Sequence, residues 1–437
     1  MENNTRIRQI DEGLLKEVLE VFKKNYALTT DSRKVEEGSI FVALKGEKYD
    51  ANTFAKSAID QGASLVIIDN KDYYIDQRTI VVEDSLRFLQ EFATYYRDTF
   101  DIPVLAISGT NGKTTTKELI HAVLSTKYRT QATVGNLNNQ IGVPLTLLSW
   151  RKDLEIGIVE MGASHVGDID ELCRIAKPNM CLLTNIGVAH IEGFGSEENV
   201  VKTKCELYRY VESMGGKAFV NKDDRNLYSH SPKVYTSYSL LQEGDVCGKQ
   251  IDRDSPFASI EVQAERIHSH LVGAYNTYNI LAAVSVGLYF GIELETIKEA
   301  IENYEPQNNR SQVKKTEHNT LILDCYNANP SSCKSALWSF NDMEAKDKRV
   351  FLGEMCELGE VSEKEHKQVA QMVAQMGLRQ IIFVGENYKP YSTLSNCLWF
   401  ETSEEARDFL QTQKIEDSLI LIKGSRKTQM EKLGDVL

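Results

Sequence analysis

Apolar positions recur along the chain in two alternating rhythms. Short runs at 39–44, 64–68 and 79–82 read as buried strands, and three-and-four spacing at 14–22, 54–61 and 86–96 reads as amphipathic helix. That alternation makes 1–100 a small α/β unit. Asp101-Ile-Pro103 forms a first seam. Beyond it, apolar runs at 102–107, 156–160, 180–185 and 218–221 each end in a polar cluster, while 117–125 and 274–291 carry helical spacing. Alternating segments across 233–273, notably Ala258-Ser-Ile-Glu-Val-Gln-Ala264, predict a β-rich patch. Pro306-Gln-Asn-Asn-Arg310 forms a second seam, and strands at 320–325, 349–353, 380–385 and 419–423 alternate with helices after it. The prediction is an α/β protein of three domains. A small N-terminal α/β domain (1–100) precedes a central P-loop ATPase-type parallel sheet with the β-rich patch (101–310). A C-terminal doubly wound, Rossmann-like domain (311–437) follows. Ligands in such sheets gather at the carboxyl ends of strands, where these polar clusters fall.

One strand end dominates. Ile107-Ser-Gly-Thr-Asn-Gly-Lys-Thr-Thr-Thr-Lys117 turns from an apolar run through glycines into a helix. Such a turn aims backbone N–H groups and the positive helix end at an anion. Gly109 and Gly112 permit close approach, Lys113 offers a charge to phosphate oxygens, and the Thr114 hydroxyl can hold Mg²⁺. The general motif has glycine five positions before the Gly-Lys pair, where this chain has Ile107. The strand–loop–helix setting nevertheless predicts a nucleoside-triphosphate phosphate loop.

Composition narrows the classes. The 437 residues exceed one ordinary core, and 42% apolar with 26% charged residues is the balance of a soluble globular protein. A formal charge of −13 without a dense Lys/Arg tract argues against nucleic acid as a partner. Eight scattered cysteines without a C-x-x-C pair predict reduced thiols. No stretch is apolar for long enough to span a bilayer, and residues 1–12 lack a signal-peptide core. A cytoplasmic location is expected.

Other strand ends leave their readings open. Glu160 closes an apolar run and could join Thr114 on magnesium, together with His190, although His190 and His165 alone read more readily as loop histidines. Lys204 and Tyr208 are spaced to share one helix face, where a lysine is ordinarily solvated. Asn221-Lys-Asp-Asp224 matches a short guanine-reading pattern, but the Asp-x-x-Gly which should precede it is missing from 114–220. The stretches after 323, 352 and 423 divide between loop and substrate face.

Together these stretches resemble one family, the Mur ligases. The resemblance rests on Gly135-Asn-Leu-Asn-Asn-Gln-Ile-Gly-Val-Pro144, Glu160-Met-Gly-Ala-Ser164, Ala189-His-Ile-Glu-Gly-Phe-Gly-Ser196, Asp324-Cys-Tyr-Asn-Ala-Asn-Pro330 and Glu357-Leu-Gly359. Asp31-Ser-Arg33 and Gly38-Ser-Ile-Phe-Val-Ala-Leu-Lys-Gly46 resemble the family's uridine-nucleotide portion. Within the family, the Asn-Leu-Asn-Asn and Asp-Cys-Tyr-Asn-Ala-Asn-Pro stretches favour the branch that adds a dipeptide. The ligase adding the third residue, folylpolyglutamate synthetase and a silent nucleotide-binding regulator are the alternatives.

The resemblance implies small-molecule substrates, UDP-MurNAc-tripeptide and D-Ala-D-Ala, joined using ATP through an acyl phosphate, by a monomer. It implies that Gly109, Thr110, Asn111, Gly112, Lys113, Thr114 and Thr115 bind ATP phosphates, with Asn279 on adenine and Arg310 and Asp324 on the nucleotide from the seam and third domain. Thr114, Glu160, His190 and Lys204, the last carbamylated by CO₂, match magnesium positions, and Lys113, Lys204 and His190 the catalytic ones. Ser32, Arg33, Asn138, Asn139, Asn327 and Asn329 fall at expected substrate positions. The sequence departs from the family at Tyr275, in place of a histidine, at Asp50-Ala-Asn52, in place of Asp-Gly-His, and at Cys325, in place of serine.

Overall fold

The computed structural model describes residues 6–187, 191–253, 255–306 and 309–437. They form an α/β chain in two compact units. One unit comprises Met1–Ala106, Arg129–Gly162 and Asp168–Met180; the other comprises Ile107–Tyr128, Ala163–Gly167 and Cys181–Leu437. The predicted middle segment therefore contributes to both.

In the first unit, strands Leu28–Thr29, Ile40–Val42, Leu65–Ile68 and Thr79–Val81 lie in that order in an all-parallel sheet. Helix Glu12–Phe22 starts on Asp11, whose carboxylate accepts from the Leu14 N–H, and buries Leu14, Leu15, Val18, Leu19 and Phe22 on one face. Helix Ser85–Arg97, capped by Asp84, packs against it through edge-on contacts of Phe22 with Phe92 and Tyr96. Strand Ile156–Glu160 of the same unit pairs in parallel with Thr130–Ala132.

In the second unit, Lys217–Asn221, Tyr235–Ser239 and Val246–Cys247 pair in parallel. The expected β patch is thus divided. Its first two strands extend a parallel sheet, and Lys249–Ile251, Phe257–Val262 and Glu265–Val272 form a separate antiparallel one. The six-stranded sheet runs in the order Gln312–Lys315, Thr320–Asp324, Ser418–Lys423, Asp347–Gly353, Gln380–Val384, Cys397–Phe400. It is parallel except for the first pair. One face packs on helices Pro330–Asp342 and Ser362–Ala374 and the other on Ser403–Gln411 and Met430–Asp435, as a doubly wound sheet requires. Among the described residues no helix is long and apolar enough to cross a membrane.

Candidate active site

The phosphate loop follows strand Val104–Ser108, whose five residues are all buried. Gly109 (φ +137°) and Gly112 (φ +78°) carry the chain into helix Lys113–Leu124, four residues earlier than the apolar spacing suggested. A Cβ at Gly109 would lie 2.1 Å from Thr184 Oγ1 and one at Gly112 2.7 Å from Asn279 Oδ1, so only glycine fits either position. The helix has no side-chain cap, which leaves its first N–H groups for an anion. Lys113 Nζ folds back over the loop and donates to the carbonyls of Gly109 (2.9 Å) and Thr110 (3.0 Å). Thr110 N–H donates to Asn185 O (2.9 Å), and its hydroxyl pairs with Gly187. Thr115 is half-buried on the first turn.

Asn279 lies beneath this loop, 6% exposed, on helix Asn276–Tyr289. Its Oδ1 accepts from Thr116 Oγ1 (3.0 Å) and its Nδ2 donates to Asn276 Oδ1 (2.7 Å). Asn329 is also turned towards the loop. It caps helix Pro330–Asp342 through a reciprocal pair with Ser332, and its Nδ2 donates to Asn111 Oδ1 (2.7 Å). Asn327 folds locally, its Oδ1 accepting from Ala328 N–H (2.9 Å).

At the seam, the Arg310 guanidinium stacks on Tyr326, 3.6 Å from the ring centre. Asp324 is paired with buried Lys423 at 2.5 Å, and Lys423 also donates to the Asn327 carbonyl (3.2 Å). Burial opposes the Lys423 charge, but Asp324 outweighs it and holds the ammonium above its usual range. Tyr275, the residue departing from the family's histidine, is bonded to Ser311 Oγ at 2.9 Å. Its phenol is raised well above its usual range by burial and by the Asp324 charge. It cannot take the charge that a histidine could.

Lys204 is buried, not solvated: it is the last residue of helix Glu197–Lys204, and its Nζ lies 6.0 Å from the Phe194 ring centre. Cys205 interrupts the single helix expected here, and Tyr208 belongs to the next, Glu206–Ser213. Burial raises the Tyr208 phenol, whose oxygen has no hydrogen-bond partner among the described residues. His190 lies outside the described residues.

The first unit positions another group. Glu160 ends strand Ile156–Glu160 only 1% exposed. Its Oε1 accepts from Asn138 Nδ2 (2.7 Å) and its N–H donates to Thr133 Oγ1 (2.9 Å). Asn139 Oδ1 receives the N–H groups of Ile141 and Gly142 and so shapes the entry to helix Gly142–Leu148. Ser32 begins a short turn capped by Asp31, and the exposed Arg33 guanidinium pairs with Asp31, holding that carboxyl down at about 2. In the departing Asp50-Ala-Asn52 stretch, the fully buried Asn52 donates to Asp50 (2.6 Å) and Asp69 (2.8 Å), and Asp69 pairs with Lys45. The amide bridges two carboxylates without titrating.

Two buried oxygens stand out for a cation. Glu160 Oε2 and Thr114 Oγ1 each have no hydrogen-bond partner among the described residues. An orphaned buried oxygen is costly unless something meets it, and Mg²⁺ takes few protein oxygens beside phosphate and water. Each atom therefore fits such an ion. No group of three or more His, Cys, Asp or Glu gathers among the described residues.

The guanine-reading pattern has a structural explanation. Asp223 accepts from Ser239 Oγ (2.7 Å) and Leu240 N–H (2.7 Å), while Asp224 caps helix Arg225–Ser229. Sequence reasoning overlooked Ser331, Thr116 and the pairing of Lys423. Asn329-Pro330 carried a readable signal, since asparagine before proline is a helix-start signature. The others pair across the fold and left none.

Three family models match the chain in order. They are the Mur ligase family catalytic domain over residues 25–97, the Mur ligase middle domain over 107–287, and the Mur ligase glutamate ligase domain over 309–426. The chain is 32% identical to UDP-N-acetylmuramoyl-tripeptide--D-alanyl-D-alanine ligase of Bacillus subtilis (strain 168), over 93% of this chain and 92% of that one. It belongs to the Mur ligase family. Among solved structures, this Mur ligase is similar to MurF from Acinetobacter baumannii, with a TM-score of 0.85, 32% identity, and 94% and 92% of the two chains covered. It is also similar to MurF ligase from Thermotoga maritima in complex with ADP, with a TM-score of 0.83, 27% identity, and 94% and 96% covered. The α/β class and the three-domain family architecture both follow.

Proposed function

We propose that this Mur ligase joins the terminal carboxylate of UDP-MurNAc-tripeptide to the amine of D-alanyl-D-alanine, using ATP, as a step of peptidoglycan synthesis. The observation that carries the reading is the near-full-length likeness to the Bacillus subtilis ligase, found together with an unbroken phosphate loop. Residues 1–100 would hold the UDP-linked tripeptide, 101–310 ATP, and 311–437 the dipeptide. Such substrates are cytoplasmic, and one chain carries every group that the reading uses, so a cytoplasmic monomer is the working form.

A carboxylate oxygen attacks the γ-phosphorus of ATP, the bond to the bridging oxygen breaks, and ADP leaves. The dipeptide amine then attacks the acyl carbon. The tetrahedral adduct collapses with loss of a proton and of phosphate, which retains the former carboxylate oxygen. Gly109–Thr115 supply N–H donors to the phosphates, and Lys113 meets the oxygens on which charge builds during transfer. By the family resemblance Asn279 would meet adenine with the amide hydrogen that its bonds to Thr116 and Asn276 leave over, and Arg310 and Asp324 would hold the nucleotide from the seam. Thr114, Glu160, His190 and a carbamate on Lys204 would hold Mg²⁺, which when bound neutralises phosphate charge. Ser32, Arg33, Asn138, Asn139 and Asn327 bind or frame the substrates.

Oxygen labelling tests the order of bonds. With ¹⁸O in the terminal carboxylate of the tripeptide, the released phosphate should carry one label per turnover. Unlabelled phosphate would overturn the acyl-phosphate route.

A further inference from the structure

The Asn111 side chain, at the tip of the phosphate loop, belongs to a closed ring of hydrogen bonds. Its Nδ2 donates to Ser331 Oγ (2.8 Å), the Ser331 hydroxyl donates to Asn329 Oδ1 (2.9 Å), and Asn329 Nδ2 donates back to Asn111 Oδ1 (2.7 Å). Each member gives one proton and receives one. Such a ring strengthens every bond in it and is opened by losing any single member.

Both ends of the ring are fixed. Asn329 is only 6% exposed and is held by its capping box, its Oδ1 also accepting from Ser332 N–H at 2.9 Å and its N–H donating to Ser332 Oγ at 3.1 Å. The Asn111 backbone is held from the other side: its N–H donates to Asn185 Oδ1 (3.0 Å), and its carbonyl accepts from Thr184 Oγ1 (2.6 Å) and Asn185 Nδ2 (3.0 Å). The loop tip is therefore clamped between the 184–185 strand end and the first turn of helix Pro330–Asp342, which belongs to the six-stranded sheet's segment. Two residues before this tip Gly109 has φ +137°, and directly after it Gly112 has φ +78°; these freely turning points would let an unclamped tip wander.

We infer that Asn329 and Ser331 are positioning residues for phosphoryl transfer. They set the loop's N–H donors through Asn111 and make the loop's geometry depend on the seat of helix Pro330–Asp342. This inference rests on the ligase reading for its chemistry, though not for its structure.

Ser331→Ala opens the ring and leaves the Asn329 cap in place. In the full chain it should speed hydrogen exchange at amides 110–113 about tenfold, the worth of roughly one hydrogen bond, without lowering the thermal midpoint. kcat should fall about tenfold with KM for the UDP-linked substrate unchanged, and Ser331→Thr, which keeps the hydroxyl, should restore both readouts. Adding Asn329→Ala to Ser331→Ala removes the remaining Asn329–Asn111 bond and should raise exchange and lower kcat further. Unchanged exchange in folded Ser331→Ala would overturn the clamp, and faster exchange with unchanged kcat would overturn the positioning role. If the wild-type chain turns over neither substrate, the ligase reading fails and the exchange measurement still decides the clamp.

Discussion

Lys204 shows how much one side chain's surroundings decide. Its neighbourhood in sequence suggested a solvated face, yet it is 3% exposed at the end of its helix, close to the Phe194 ring. A carbamate forms when a neutral amine attacks CO₂ and loses a proton, and the anionic product is kept only where a cation such as Mg²⁺ or hydrogen-bond donors meet it. Lys204 should therefore show a carbamate signal in ¹³C spectra recorded with labelled bicarbonate, and Lys204→Ala should lack both that signal and most of the activity. A wild-type spectrum without the signal, under Mg²⁺ and nucleotide, would remove Lys204 from the site. His366 makes a different kind of prediction. Fully buried, it accepts from Met355 N–H at Nε2 (3.0 Å) while Nδ1 faces the Ser362 carbonyl (2.8 Å), so the neutral ring fits both bonds. Burial lowers its pKa below the ordinary 6.5, against the pull of the Ser362 carbonyl, Glu354 and Glu365. The unfolded chain then binds the extra proton first. Stability from this site is complete above pH 6.5 and is lost as pH falls through the lowered value. Urea unfolding between pH 7 and 5 should show that slope, and His366→Phe should reduce it by up to one proton; an identical slope would contradict the assignment.

The clearest element-scale case is the phosphate loop. Strand, loop and helix could be read because a buried apolar run, two glycines and a lysine all point to one anion-binding turn. Why the glycines are needed could not be read: Thr184 and Asn279, distant in sequence, occupy the space that any Cβ would take. Gly109→Ala should therefore cost about 1–3 kcal/mol of stability and most of the ATP affinity, measured by urea unfolding and by titration calorimetry. Affinity like that of the wild type would mean that the loop tolerates a side chain there. Strands buried on both faces were legible for the same reason as the loop, as in Ile40–Val42 and Ile156–Glu160. Edge strands were not. Gln312–Lys315 and Cys397–Phe400 lie at the two margins of the six-stranded sheet; the first has a single apolar residue, and the second, Cys-Leu-Trp-Phe, is apolar but only four residues long and largely half-exposed. The Cys205 break was hidden too, because Glu197–Ser213 keeps helical spacing through a residue whose backbone stays in the helical region.

For the whole molecule, motif order did what no single motif could. A shortened phosphate loop is a weak signal alone, and the family match extends it across residues 25–426 in three segments. What the sequence withheld was pairing over long separations, such as Asp324 with Lys423 and Asn111 with Asn329, which only folding brings into register. The central claim is ligation, so the decisive measurement follows phosphate and the UDP-linked product together. ATP, Mg²⁺ and UDP-MurNAc-tripeptide are supplied with and without D-alanyl-D-alanine. Phosphate and UDP-MurNAc-pentapeptide should appear in equal amounts, only when the dipeptide is present, and Lys113→Ala should slow both by roughly 10²–10³-fold. Phosphate release indifferent to the dipeptide, or no pentapeptide by mass, would contradict the account.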